Sequence, residues 1–155
     1  MLSAAWLNLA DVLRELLRSD ARVDLRNSLG ETPLHWACRH AGAPGCVLIL
    51  LWAGADVSAL DNQGRHSGHA AIHAGAADAL CWLLAAGLDV NAADRDGNSM
   101  LHWAIMKENY GLVEYLITNG ADVSRCNEQG KTALHSAVFK GHLDICRLLV
   151  GLISE

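Results

Sequence analysis

The pattern of Gly30-Glu31-Thr32-Pro33-Leu34-His35-Trp36-Ala37 returns three more times, from Gly64 to Ala71, from Gly97 to Ala104 and from Gly130 to Ala137. Its histidine stands at positions 35, 69, 102 and 135, so the spacing is 34, 33 and 33 residues. A fixed period in this range marks an array of small units, each burying its apolar face on the next, in place of one central core. Within a copy the residue types have a mechanical reading. Thr32 suits a helix N-cap, Pro33 the first helical position, where no N–H is needed, and Leu34 with Ala37 faces inward. Glycines 54, 87 and 120 follow a second apolar stretch and supply a left-handed stop. Asp61 and Asp94 then open the next loop as turn residues.

Thr-Pro-Leu-His-x-Ala, followed by Gly-Ala-Asp-Val at Gly54 to Val57 and Gly120 to Val123, resembles the ankyrin-repeat consensus. The resemblance implies an all-α solenoid, an ankyrin repeat stack of helix-turn-helix units with short β-hairpin fingers, acting as a non-catalytic protein–protein interaction module. Aligned on it, the chain divides into a partial N-terminal repeat at 1–26, full repeats at 27–60, 61–93 and 94–126, and a partial C-terminal repeat at 127–155, one ankyrin domain overall. Met1 to Leu7 falls where a first helix belongs and Val12 to Leu17 where a second does, so both chain ends read as caps or cut edges. Asn8 and Asp20 take the usual glycine positions, which both tolerate. His35, His69, His102 and His135 match the family's histidine, which ties neighbouring loops by hydrogen bonds.

The bulk properties exclude several function classes. A net charge of −5 on 155 residues gives no general affinity for nucleic acid. No apolar run reaches the length of a membrane span, and the N-terminus, with Asp11 and Glu15 among its leucines, does not read as a secretory signal. Five cysteines, an odd number without CxxC or zinc-finger spacing, point to a reducing compartment, cytoplasmic or nuclear. There is no phosphate-cradling glycine loop, no GxSxG and no HExxH, so neither an enzyme nor a cofactor is expected. His69 and His73 lie four apart with His66 just before them, but no carboxylate or thiol stands at a matching offset, and no metal is assigned. Cys38 and Cys46 fall on packed helical positions, where thiols are inert.

Three departures from the repeat stand out. The loop Ala41 to Gly45 carries one residue more than its counterparts. Gly68 replaces the expected leucine, forfeiting about 1.5–3 kcal/mol of burial and about 1 kcal/mol of helix propensity, which marks 61–93 as the weakest repeat. Trp36, Ala70, Trp103 and Ser136 alternate large and small, as interdigitating layers do.

The positions that ankyrin proteins leave variable, the finger tips and the outward residues of each first helix, line the family's concave recognition face. Carried over, the partner-binding set includes Arg39, His40, Arg65, His73, Arg95, Met106, Lys107, Lys131, Phe139 and Lys140. Trp6 and Leu7 take the same positions in the first unit. Across these positions six cations (Arg39, Arg65, Arg95, Lys107, Lys131, Lys140) face three carboxylates (Glu31, Asp96, Glu128), reversing the sign of the whole chain. With Met106 and Phe139 among them, the face suits an acidic, partly apolar peptide of another protein. A second surface is expected where Leu48, Trp52, Cys81 and Ala85 point outward from apolar second helices, a convex patch for a second copy or a covering domain. Asn91, with Leu83 eight residues before it and Asp89-Val90 adjoining, resembles the ankyrin asparagines modified by an oxygen-sensing asparaginyl hydroxylase. Two narrower roles follow from the resemblance. One is that of the four-repeat inhibitors of cyclin-dependent kinases, which are of similar length. The other is that of a substrate-recruiting domain of a larger enzyme such as a palmitoyltransferase, whose repeats share the Leu-His-Trp-Ala found at Leu34 to Ala37 and Leu101 to Ala104.

Overall fold

Helices of two turns are marginal in water and form only where neighbours cover one face. The computed structural model describes residues 10–19, 22–40 and 44–153. The expectations placed on Met1 to Leu7, Asn8, Asp20 and the start of the Ala41 to Gly45 loop lie outside them. The described helices are α1 (Ala10–Arg18), α2 (Pro33–Arg39), α3 (Pro44–Trp52), α4 (Ser67–Ala74), α5 (Ala77–Ala85), α6 (Met100–Met106), α7 (Tyr110–Thr118), α8 (Ala133–Lys140) and α9 (Leu143–Ile153). They fall into two compact units, Met1–Leu88 and Asp89–Glu155. In the first, α2 packs on α3 and on α4, and α4 on α5; in the second, α6 packs on α7 and on α8, and α8 on α9. Leu34, Val47, Leu50, Ile72, Leu80 and Leu83 form the first core, and Leu101, Ile105, Leu112, Val113 and Leu116 are buried in the second.

Each first helix starts with the same device. The extended N-cap residue (Thr32, His66, Ser99 or Thr132) turns its backbone N–H onto Nδ1 of the histidine three residues on, at 3.2, 3.2, 3.3 and 3.2 Å. This is a capping box in which imidazole does the work usual for glutamate. With Nδ1 an acceptor, the proton sits on Nε2, and His35 and His102 donate it to the carbonyls of Arg65 and Lys131, each at 3.0 Å. Burial pushes the pKa of His35 and of His102 below the ordinary imidazole value, outweighing the upward pull of those carbonyls.

The fingers are short. Among the described residues the only β pairing is an isolated antiparallel bridge between Ala93 and Ser99. The reason is local. The side-chain oxygen of Asn27, Asp61, Asp94 and Asn127 takes the N–H four residues on, at 2.9, 3.0, 2.8 and 3.0 Å, so each finger closes on a side chain before a ladder can extend. Gly97 (φ 74°) makes this close approach possible, since a Cβ there would lie 2.8 Å from the backbone nitrogen of Glu128. Adjacent fingers join through main-chain atoms, Asn62 N–H donating to Leu29 O at 2.9 Å in the first unit.

Gly68 is buried on α4, and beside it the Ser67 hydroxyl is buried with no hydrogen-bond partner among the described residues. A feature the sequence reading missed is Glu108, left-handed at φ 60° in the turn where Gly75 and Gly141 serve in other repeats.

Candidate partner-binding site

In the Asp89–Glu155 unit two neighbouring fingers and two first helices enclose a groove of about 600 Å³. Its wall is built by Asp94, whose Oδ1 accepts from the backbone N–H of Asp96 at 3.1 Å and of Asn98 at 2.8 Å, while Oδ2 accepts from Trp103 Nε1 at 2.9 Å. The wall continues into the next finger, where Glu128 N–H donates to Asp96 O at 2.9 Å and Asn127 Nδ2 to Asn98 Oδ1 at 2.8 Å. The same groove is lined by an apolar shelf of Met106, Val138 and Phe139, which are 51, 64 and 83% exposed. Carboxamides of Asn98, Asn127 and Gln129 border it, together with Lys131, Asp96 and His135. Exposed aromatic and thioether side chains beside amide groups can take an apolar side chain and hydrogen-bond the peptide backbone that carries it.

Of the residues expected to bind a partner, Met106, Lys131 and Phe139 come together here. Arg95, Lys107 and Lys140 are exposed in the same unit but do not line the groove. Lys140 Nζ lies 3.8 Å from Glu108, whose carboxylate is also 3.7 Å from His142 Nε2. In the first unit the charge balance changes. Arg39 forms an ion pair with the fully buried Glu31 and lies over the Trp36 ring, 6.0 Å from its centroid. Arg65 holds Asp61 through Nε at 2.7 Å and a terminal nitrogen at 2.6 Å. Burial works to raise the Asp61 pKa, yet the Arg65 and Gln63 hydrogen bonds and the guanidinium charge hold it below the ordinary carboxylate value. Three of the six cations counted along the sequence, Arg39, Arg65 and Lys140, thus have a carboxylate partner within the chain. His40 is half-buried and His73 exposed.

The tryptophans also act otherwise than as packing layers alone. Trp36 Nε1 donates to Glu31 Oε2 at 2.8 Å, as Trp103 donates to Asp94. Sequence reading missed these ties, although an acid five or nine residues before each tryptophan was a visible signal. It also missed Asn127, His135 and Val138 as groove residues.

On the second helices of the first unit, Trp52 is 87% exposed, Cys81 and Ala85 are exposed, and Leu48 is half-buried. The half-burial of Leu48 follows from the crowding of α3 between α1 and α5, both of which it touches. Asn91 bridges two turns of the second unit, donating from Nδ2 to Gly120 O at 3.3 Å and accepting at Oδ1 from Asp122 N–H at 2.7 Å. None of the five cysteines is in a disulfide; Cys38 and Cys46 are buried, and burial raises the pKa of both thiols. Among the described residues no cluster of three or more His, Cys, Asp or Glu is arranged for a metal, and no helix is long and apolar enough to cross a membrane.

A family model described as "Ankyrin repeats (3 copies)" matches residues 1–94 and again 68–154. Among curated proteins, Palmitoyltransferase ZDHHC13 of Homo sapiens is 41% identical over 69 residues, 44% of this chain and 11% of that protein. Palmitoyltransferase Hip14 of Drosophila melanogaster is 44% identical over 62 residues, 39% of this chain and 10% of that protein. The similarity therefore spans about a tenth of the length of these relatives.

Proposed function

The chain belongs to the ankyrin-repeat family, and from that premise we propose that it recruits a partner protein by gripping an extended segment of it in the Asp89–Glu155 unit. The observation that carries the reading is the exposed Met106, Val138 and Phe139 lining one groove with the carboxamides of Asn98, Asn127 and Gln129. An apolar side chain of the partner loses water on the shelf, and its backbone pairs with Asn98, Asn127 and Gln129. Acidic residues flanking that anchor suit Arg95, Lys107, Lys131 and Lys140, four cations against Asp96, Glu108 and Glu128 at the finger tips and helix ends of this unit. The likeness to two palmitoyltransferases supports a narrower reading, in which these repeats bring a protein substrate to a larger acyl-transferring enzyme whose chemistry lies elsewhere. Five cysteines without a disulfide fit a reducing location, cytoplasmic or nuclear. The exposed Trp52 face is a separate contact in this proposal, toward a covering domain or a second copy.

Random peptides displayed on phage and selected on the full chain test the groove. The expected consensus has one aliphatic or aromatic residue at a fixed position with acidic neighbours. Phe139→Ala and Met106→Ala each weaken the selected peptides about tenfold or more, as truncation of a central anchor does, while Trp52→Ala leaves them unchanged. Peptides indifferent to both Phe139 and Met106 would remove the groove as the binding site.

A further inference from the structure

Both repeats that carry tryptophan at the second position after the capping-box leucine spend its indole N–H on a carboxylate of their own finger. The acids come from opposite sides of the finger glycine, Glu31 after Gly30 and Asp94 before Gly97. What the two repeats share is therefore the tie, not the residue pattern. Ala70 and Ser136 stand at the equivalent positions of the other repeats and have no indole to offer.

In the second unit the tie bears directly on the groove. One carboxylate, that of Asp94, holds the wall residues Asp96 and Asn98 with one oxygen and α6 with the other. Trp103 lies one turn before Met106 on α6, so the helix that receives the tie also carries part of the shelf. The adjoining residue His102 fastens the far end of the wall, at Lys131 O. The near end of the wall also runs through Asn98 into Ser99, the N-cap of α6, whose N–H and hydroxyl meet His102 Nδ1 at 3.3 and 2.8 Å; the indole bond adds a second tie, from the finger's own carboxylate to the body of the helix. A hydrogen bond to a charged acceptor is short, directional and stronger than a neutral one.

We propose that the hydrogen bond between Asp94 and Trp103 is the positioning contact of the groove, fixing the wall-to-shelf separation that decides which side chain the groove accepts. This rests on the peptide-binding reading above, whose own failure shows first and separately, as selected peptides that ignore Phe139 and Met106. That outcome overturns the proposal together with the reading.

Two variants cut the bond from opposite sides. Trp103→Phe keeps an aromatic ring and removes the donor; Asp94→Asn keeps one oxygen for the finger N–H groups and turns an amide toward the indole. In the full chain each is expected to weaken the selected peptides about tenfold, the loss of one charge-assisted hydrogen bond. The double variant is expected to be no worse than either single one, because both remove the same contact. Selection repeated on Trp103→Phe should return anchors of a different size, a change that lowered stability alone does not produce. Trp36→Phe cuts the matching bond in the first unit and should leave affinity unchanged, with thermal unfolding followed in parallel. Wild-type affinity and anchor preference in both groove variants, measured where all are folded, overturns the proposal. An equal loss of affinity in Trp36→Phe overturns it as well, by tracing the effect to general destabilisation.

Discussion

Ser67→Ala is expected to stabilise this protein, against the usual direction of core substitutions. Ser67 is 1% exposed and its hydroxyl has no partner among the described residues. A buried hydroxyl left unpaired costs about 1–3 kcal/mol. Alanine removes that cost and opens a space of only one oxygen atom, which offsets little. The helix-propensity gain is small because Ser67 is the first residue of α4. The net expectation is about 1–2 kcal/mol of added stability. Gly68→Ala next to it should add about 1 kcal/mol through the backbone. Urea denaturation followed by circular dichroism reads the gain as a higher midpoint at unchanged slope. Hydrogen exchange localises it: amides of Ala70 to His73 should exchange faster than those of Leu134 to Val138 in the parent chain, and slow down in Ser67→Ala by about tenfold for each 1.4 kcal/mol gained. A lowered midpoint would show that the hydroxyl is hydrogen-bonded in the folded protein. Stronger protection at Ala70 to His73 than at Leu134 to Val138 in the parent chain would show that neighbours fill the volume of the missing leucine.

Three further outcomes are expected. Because burial lowers the pKa of His35 and His102, the unfolded chain takes up their protons first as pH falls; stability is full above the unfolded value of 6.5 and is lost as pH drops through the folded values. Melting temperatures at about pH 7.5 and about pH 5.5 should show this fall, and it should be shallower in the His35→Gln, His102→Gln double variant; equal slopes refute it. Replacing Lys107 and Lys140 together by glutamate should weaken acidic peptides at low salt, and the difference should shrink as salt is added; unchanged binding at low ionic strength would show that the flanking cations do not contribute. Exposure to an oxygen-sensing asparaginyl hydroxylase should add one oxygen at Asn91 by mass spectrometry, once the bonds to Gly120 and Asp122 open. No addition where a control ankyrin substrate is modified refutes it.

The periodic histidine made the helix positions legible because one residue type serves two structural ends at once, closing its own helix start and reaching the next finger. The apolar positions 34, 37, 101 and 104 were equally readable, since a core position tolerates few residue types. Charge was harder. Arg65 lies four residues from Asp61 and Arg39 eight from Glu31, pairings that a count along the chain does not register, and their engagement removes two cations from the expected face. The groove was half readable: Met106, Lys131 and Phe139 follow from repeat position, whereas Asp94 owes its role to a bond with a helix nine residues on. Glu108 was invisible for a different reason. Its left-handed turn is set by the helix ends on either side, and the residue type there gave no signal.

Adjacent fingers meet through main-chain atoms, Leu29 O with Asn62 N–H and Asp96 O with Glu128 N–H. A peptide bond is the same whatever side chain hangs beside it. Tip residues such as Leu29, Asp96 and Glu128 can therefore be exchanged without breaking the joint, while Gly30 and Gly97 cannot, because a Cβ there would collide with the neighbouring finger at Asn62 and Glu128. Assembly and recognition are in this way inherited separately: a few glycines, with the amides of Asn62 and Asn127, keep the joints, and drift or selection can redraft the letters written between them.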